Sequence, residues 1–145
     1  MASLEFNGFD ALEDAYLRIA DIPWDVTEQA LNAMAEEAAK KIRDSGESMN
    51  IRDPESNIHI LDRIKPTKAK QTENGGYQQI TFSGTRTRNG VKTRNAEIAY
   101  INEYGKRGQP ARPFMLRAME DGADDISARA ETVLGDWTEK EFTRN

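Results

Sequence analysis

The sequence predicts an α+β domain: N-terminal helices, a small antiparallel sheet carrying an extended basic hairpin, and a long C-terminal helix. Three observations lead there. Met115, Met119, Ala123, Ile126, Ala130, Val133 and Trp137 recur at spacings of 4, 4, 3, 4, 3 and 4, the mark of one helical face. Asn89-Gly90 lies between alternating segments, a strong short-range hairpin signal. Leu31, Met34, Ala38 and Ile42 form a second helical stripe, in an alanine-rich stretch. The 145 residues suit one domain, 1–145, with a helix inside 1–24 and a flexible end at 139–145. Hydrophobic content of 37% against 31% charged predicts a thin core, with much of the surface solvated or covered by partners.

Phe9, Leu12, Tyr16 and Ile19 mark the first helix, which Pro23 limits. Asp25-Val26-Thr27-Glu28 has the capping-box arrangement and predicts a second helix over about 26–44, stopped by Ser45-Gly46. Residues 47–57 read as a loop. Ile58, Ile60 and Ile64 suggest a first strand, confined to an edge by Pro66. Residues 65–74 are polar and basic and read as exposed; Tyr77, Ile80 and Phe82 belong to a second strand.

A two-residue turn at Asn89-Gly90 sets Arg88 opposite Val91, Thr87 opposite Lys92 and Arg86 opposite Thr93. Arg86 and Arg88 then share one face, with Lys92 and Arg94 on the other. Cations on both faces keep either from an apolar core, so this segment reads as a solvated arm. A third strand is expected over about 95–104, with Ala96, Ile98 and Tyr100 on one side and Gly105 at its end. Pro113 suits the first position of the last helix, which spans roughly 35 Å. Gly122 weakens its middle, and 139–145 fray.

The net charge of −5 is unevenly spread. Residues 1–40 carry nine acids and two bases; residues 62–112 carry eleven bases and four acids. A basic middle between acidic ends can attract other copies or face an anionic partner. There is no cysteine, hence no disulfide framework or thiolate metal site. The N-terminus lacks the pattern of a signal peptide, and no apolar run approaches a membrane span. His59, the only histidine, has no metal-spaced partner. Neither Asn74-Gly75-Gly76 nor Gly105-Lys106-Arg107-Gly108 has phosphate-loop spacing. On a strand, Glu97 and Glu103 would point to one face about 20 Å apart, too far for paired acid–base work. Glu103 more readily pairs with a base such as Arg112, of its own chain or a neighbour's. No catalytic constellation and no cofactor site is expected.

The order Tyr100 … Glu103-Tyr104-Gly105 … Ala111-Arg112-Pro113-Phe114 … Ala118 resembles a family of small bacteriophage structural proteins. These are the tail-completion or head–tail joining proteins whose type member is the gene-10 product of phage HK-97. The resemblance covers about 26–120 and is specific at 97–118. It departs at 50–60, where a Thr-Gly-x-Leu-like segment is often found but this chain has Asp53-Pro54-Glu55-Ser56-Asn57-Ile58-His59-Ile60-Leu61.

The resemblance implies a non-enzymatic virion part, made in the bacterial host cytoplasm and carried in the neck or tail. It implies a ring of copies, typically sixfold, beside connector and tail-tube proteins. Tyr100, Glu103, Tyr104, Gly105, Arg107, Arg112, Pro113 and Phe114 are its motif or interface residues. Phe114 reads as an anchor within the monomer, while Arg112 is open between an internal turn and a neighbouring subunit. Arg86, Arg88, Lys92 and Arg94 form an arm for an adjacent subunit, with Glu36 and Glu37 as a candidate acidic surface, or for the ring lumen. The alternative is a small nucleic-acid-binding domain using the basic 62–112 region, with Lys65, Lys68 and Lys70 beside the arm. That segment lacks aromatics interleaved for base stacking, which limits it to non-specific contact with packaged DNA.

Overall fold

A computed structural model of the chain describes residues 22–51 and 59–144. The helix expected at Phe9–Ile19 and the loop over 52–57 lie outside the described residues. Helix α1 is Trp24–Ser48, begun two residues before the predicted start and ended four after the predicted end. Asp25 does not cap it. Pro23 holds the N-cap position, and its carbonyl accepts from Val26 N at 3.1 Å and Thr27 N at 3.2 Å. Asp25 is thereby already in the first turn, where its charge suits the helix dipole but its side chain makes no capping bond. Ser45-Gly46 does not stop the helix either. Gly46 is buried against Leu61, and the chain leaves the helix through Asn50, which sits at φ 56.

The strands form three separate antiparallel pairs rather than one sheet. Strands β1 (Ile64–Pro66) and β4 (Ile80–Phe82) pair with Ile64 opposite Phe82. Strands β2 (Lys70–Thr72) and β3 (Gly75–Tyr77) form a hairpin inside the stretch expected to be merely exposed. Residues 65–74 are nonetheless largely exposed, apart from buried Ala69 and half-buried Pro66 and Thr67.

Two strand assignments are corrected. Residues 60–63 form a short 3-10 helix, because Ile60 and Leu61 are both buried, which consecutive residues of a one-sided strand do not achieve. The Tyr77–Phe82 run is broken at Gln78-Gln79. There Thr67 N donates to Gln79 O at 2.7 Å, and Gln78 Nε2 donates to Thr67 O at 2.8 Å.

Strands β5 (Thr85–Arg88) and β6 (Val91–Arg94) form the arm, with the predicted turn and register. Asn89 at φ 51 and Gly90 at φ 78 both occupy the left-handed region that a primed hairpin turn needs.

The predicted third strand is a helix, α2 (Asn95–Tyr104). Its buried residues are Asn95, Ala99, Asn102 and Glu103, spaced 4, 3 and 1, a helical period. The alternation of Ala96, Ile98 and Tyr100 gave no true inner face: Ala96 and Tyr100 are exposed. Ala96, Glu97 and Ala99 are good helix formers, and the asparagine and glutamate that face inward find bonding partners in neighbouring elements.

Helix α3 is Phe114–Thr143 and runs on through the region expected to fray. Its buried residues are Phe114, Ala118, Gly122, Ile126, Ala130 and Leu134, a uniform step of four. The predicted stripe is thus displaced: Met119 and Ala123 are exposed, while Ile126 and Ala130 hold. A step of four follows the ridge along which helices pack at an angle, so the seam drifts around α3.

Its partner is antiparallel α1. Ser45 lies at the Phe114 end, Lys41 beside Gly122 and Asp125, and Val26 and Ala30 among Ala130 and Leu134. Alanines and Gly122 keep the seam close; a Cβ on Gly122 would lie 2.9 Å from Lys41 Cγ. Gly122 is therefore part of the packing rather than a weak point. A second cluster joins Ile42, Leu61, Phe82, Ala99 and Phe114, uniting both long helices with α2 and the β1–β4 pair.

Two predictions follow from this packing. A Cβ on Gly46 would lie 2.4 Å from Leu61 Cδ2, whereas one on Gly135 meets nothing within 4 Å. Gly46→Ala is expected to lower stability, with overpacking of about 1–3 kcal/mol outweighing a helix gain of about 1 kcal/mol. Gly135→Ala raises it by about 0.5–1 kcal/mol, both read by urea denaturation.

Lys41 Nζ lies 2.6 Å from Asp125 Oδ2. This hydrogen bond raises the lysine pKa and, from the other side, lowers that of Asp125. The stabilising effect on the carboxylate side is present above the ordinary aspartate pKa of about 3.9 and lost as pH falls through the depressed value. On the lysine side it is present below the ordinary value of about 10.4 and lost as pH rises through the raised one. The denaturation midpoints of the native chain and Asp125→Asn should differ modestly at neutral pH and converge in strong acid.

Candidate functional site

The motif residues assemble where α2 ends and α3 begins. The C-terminus of α2 is closed by Gly105, whose N–H donates to Ile101 O at 2.7 Å. Gly105 sits at φ 78, and a Cβ there would lie 2.8 Å from Ala111 N and 2.9 Å from Gln109 O. Both its conformation and its crowding require glycine. The chain then reverses through Lys106–Gln109, whose backbones exchange hydrogen bonds of 3.0 and 2.9 Å. Arg107 is exposed on this turn, and Gly108 takes φ 83. The returning segment lies beside α2, where Arg112 N donates to Asn102 O at 2.7 Å.

Glu103 is buried and caps α3. Its Oε2 accepts from Met115 N at 2.8 Å and its Oε1 from Leu116 N at 3.0 Å. The remaining first-turn donors are also met: Phe114 N bonds Arg112 O at 2.8 Å, and Arg117 N bonds Pro113 O at 3.1 Å. Pro113 occupies the N-cap position, one residue before the predicted place, and needs no partner for a missing N–H. Both Glu103 oxygens are therefore used in aligning α3, and the expected Glu103–Arg112 pair gives way to this cap. A buried carboxylate at a helix N-terminus is favoured by the two amides and by the dipole together.

Arg112 points elsewhere. Its Nη1 donates to Asn50 O at 2.9 Å and its Nη2 to Asn102 Oδ1 at 2.7 Å. It thus ties the end of α1 to α2. Phe114 is fully buried, edge-on to Phe82 with ring centroids 6.1 Å apart, and its carbonyl accepts from Ser45 Oγ at 2.7 Å. The anchoring expected of Phe114 is observed.

Tyr100 and Tyr104 separate from the other motif residues. They stand on the outer face of α2 with centroids 4.7 Å apart, both largely exposed. The arm springs from the opposite end of α2. Asn95 N donates to Gly84 O at 3.0 Å and Asn95 Nδ2 to Ser83 O at 2.8 Å, closing its base. Lys92 and Arg94 are exposed and Arg86 is half-buried. Lys65, Lys68 and Lys70 are exposed on other elements.

Sequence reasoning missed Asn95, Asn102 and Asn50, the polar residues that join the motif to the rest of the chain. Asparagine inside the mixed segment 95–104 was the available signal, and it becomes readable only once that segment is known to be helical. The Glu97–Glu103 geometry is likewise corrected: on a helix the rise between them is about 9 Å. Glu97 is exposed and Glu103 buried. His59 is buried ahead of the 3-10 helix, and its carbonyl accepts from Asp62 N at 3.1 Å. Among the described residues, no three His, Cys, Asp or Glu side chains group to hold a metal, and no helix is long and apolar enough to cross a membrane.

No family model, curated protein or solved structure matches the chain.

Glu103→Ala leaves two first-turn amides without their acceptor and should cost about 1–3 kcal/mol in chemical denaturation. Glu103→Gln, which keeps one strong acceptor oxygen, should fall between it and the native chain.

Proposed function

We propose that the chain is a structural virion protein of a long-tailed bacteriophage or prophage. It forms a ring, sixfold in the simplest case, at the head–tail junction or the head-proximal end of the tail. The observation that carries this reading is the motif itself. Glu103-Tyr104-Gly105 and Ala111-Arg112-Pro113-Phe114 fold into one closed clip, with Glu103, Gly105, Arg112 and Phe114 all engaged inside the chain. A clip so completely satisfied fixes two surfaces rather than performing chemistry: the tyrosine face of α2 and the basic arm at its other end. Surfaces held at a set angle are what a subunit needs to meet neighbours in a closed assembly. The partners on this reading are further copies, the adjoining connector and tail-tube proteins, and packaged DNA through non-specific phosphate contact.

The basic arm also favours the second reading, a small nucleic-acid-binding domain. Phosphate binding by several cations weakens steeply as salt rises, whereas an apolar subunit contact does not. DNA retention by the purified chain that collapses over a salt series supports the second reading.

Electron microscopy of particles made without this gene tests the first. Full heads beside separate tails are expected for a joining role, and overlong tails for termination. Normal infectious particles would overturn the virion reading.

A further inference from the structure

We infer that the β5–β6 arm of one copy docks on the outer face of α2 in the next, so that copies join head to tail. The inference deepens the reading of the chain as an assembling subunit and rests on it.

The acceptor surface is apolar and acidic. Glu97, Tyr100 and Tyr104, spaced three and four apart, share the face of α2 opposite buried Ala99, Asn102 and Glu103. Tyr100 is 61% exposed and Tyr104 67%. The donor is the complement of this surface. Val91 at the arm's tip is 64% exposed, with exposed Lys92 following it. Val91, Tyr100 and Tyr104 are half of the six exposed large hydrophobic side chains among the described residues.

The chemistry matches in both parts. Val91 can cover tyrosine surface, and the positive charge of the arm, with Lys92 and Arg94 exposed, complements Glu97 at the edge of that face. The arm does not cover this surface in its own chain. It leaves the N-terminus of α2, where the Asn95 bonds close its base, and extends four residues, roughly 13 Å, to its tip. Donor and acceptor are therefore separate surfaces of one chain, each left exposed. A contact between two different surfaces repeats from copy to copy, and the series ends when the rotation per copy closes a ring.

The chain has no cysteine, so Val91→Cys and Tyr104→Cys variants each carry a single thiol. Both positions are exposed, and thermal melting is expected to match the native chain; Tyr100→Cys replaces Tyr104→Cys should the latter melt early. Equal amounts of the two variants are mixed and treated with a short bismaleimide. The mixture should give a cross-linked dimer at least tenfold above either variant alone, and the double variant a ladder of multimers. Three results would overturn the proposal. One is a mixed yield no higher than that of Val91→Cys with Ser127→Cys, an exposed site on α3. Another is dominant linkage of Val91→Cys to itself, the sign of a twofold tip-to-tip contact. The third is double-stranded DNA shielding Val91→Cys from maleimide with no mixed dimer, which assigns the arm to phosphate. The mixed dimer and the gene-deletion particles are separate readouts. A cross-link with normal particles sinks the virion reading alone, and defective particles without a cross-link sink this one alone.

Discussion

A carboxylate taken out of water is costly unless strong donors replace the water, and in this chain the donors are the first turn of another helix. Glu103 sits in the last turn of α2, yet both its oxygens bind the opening amides of α3. That single side chain fixes where α3 starts and at what angle it leaves α2. Phe114 is thereby placed at the first helical position, where its ring meets Phe82 and its carbonyl meets Ser45 of α1. The cap, the aromatic anchor and the two long helices are consequently one arrangement.

The rest of the molecule is built around that junction with little apolar material. The seam between α1 and α3 relies on alanines and on Gly122, so the contribution comes from close approach rather than from large side chains. Three short strand pairs attach to these helices instead of forming a sheet of their own. Two-stranded pairs are marginal alone, and β1–β4 gains support through Phe82 and Ile64 in the helical core. No residue of the arm belongs to that core. Its persistence as a hairpin rests on turn chemistry and on the asparagine that ties it to α2.

Several elements were legible in the sequence because a local rule governs them. Asn89-Gly90 determined both the turn and the register of the arm, since few other residues accept two successive left-handed conformations. The helical stripes located α1 and α3. The stripe of α3 was misplaced in its first half because periodicity reports an average face, whereas the partner helix selects the ridge of steps of four. The α2 segment was misread for a related reason: ten residues of mixed alternation fit a strand nearly as well as a helix, and only inward-facing partners for Asn102 and Glu103 decide between them.

The motif shows the same division. Sequence alone determined that Gly105, Pro113 and Phe114 mark a tight reversal into a helix, because glycine and proline restrict the backbone wherever they stand. It did not determine what Glu103 and Arg112 do. An acid and a base ten residues or so apart invite pairing, but the folded chain gives the acid to two backbone amides and the base to Asn50 and Asn102. Hydrogen-bond partners of long polar side chains are chosen by which groups burial would otherwise strand. That choice exists only after α1, α2 and α3 have come together, so the tertiary structure made it.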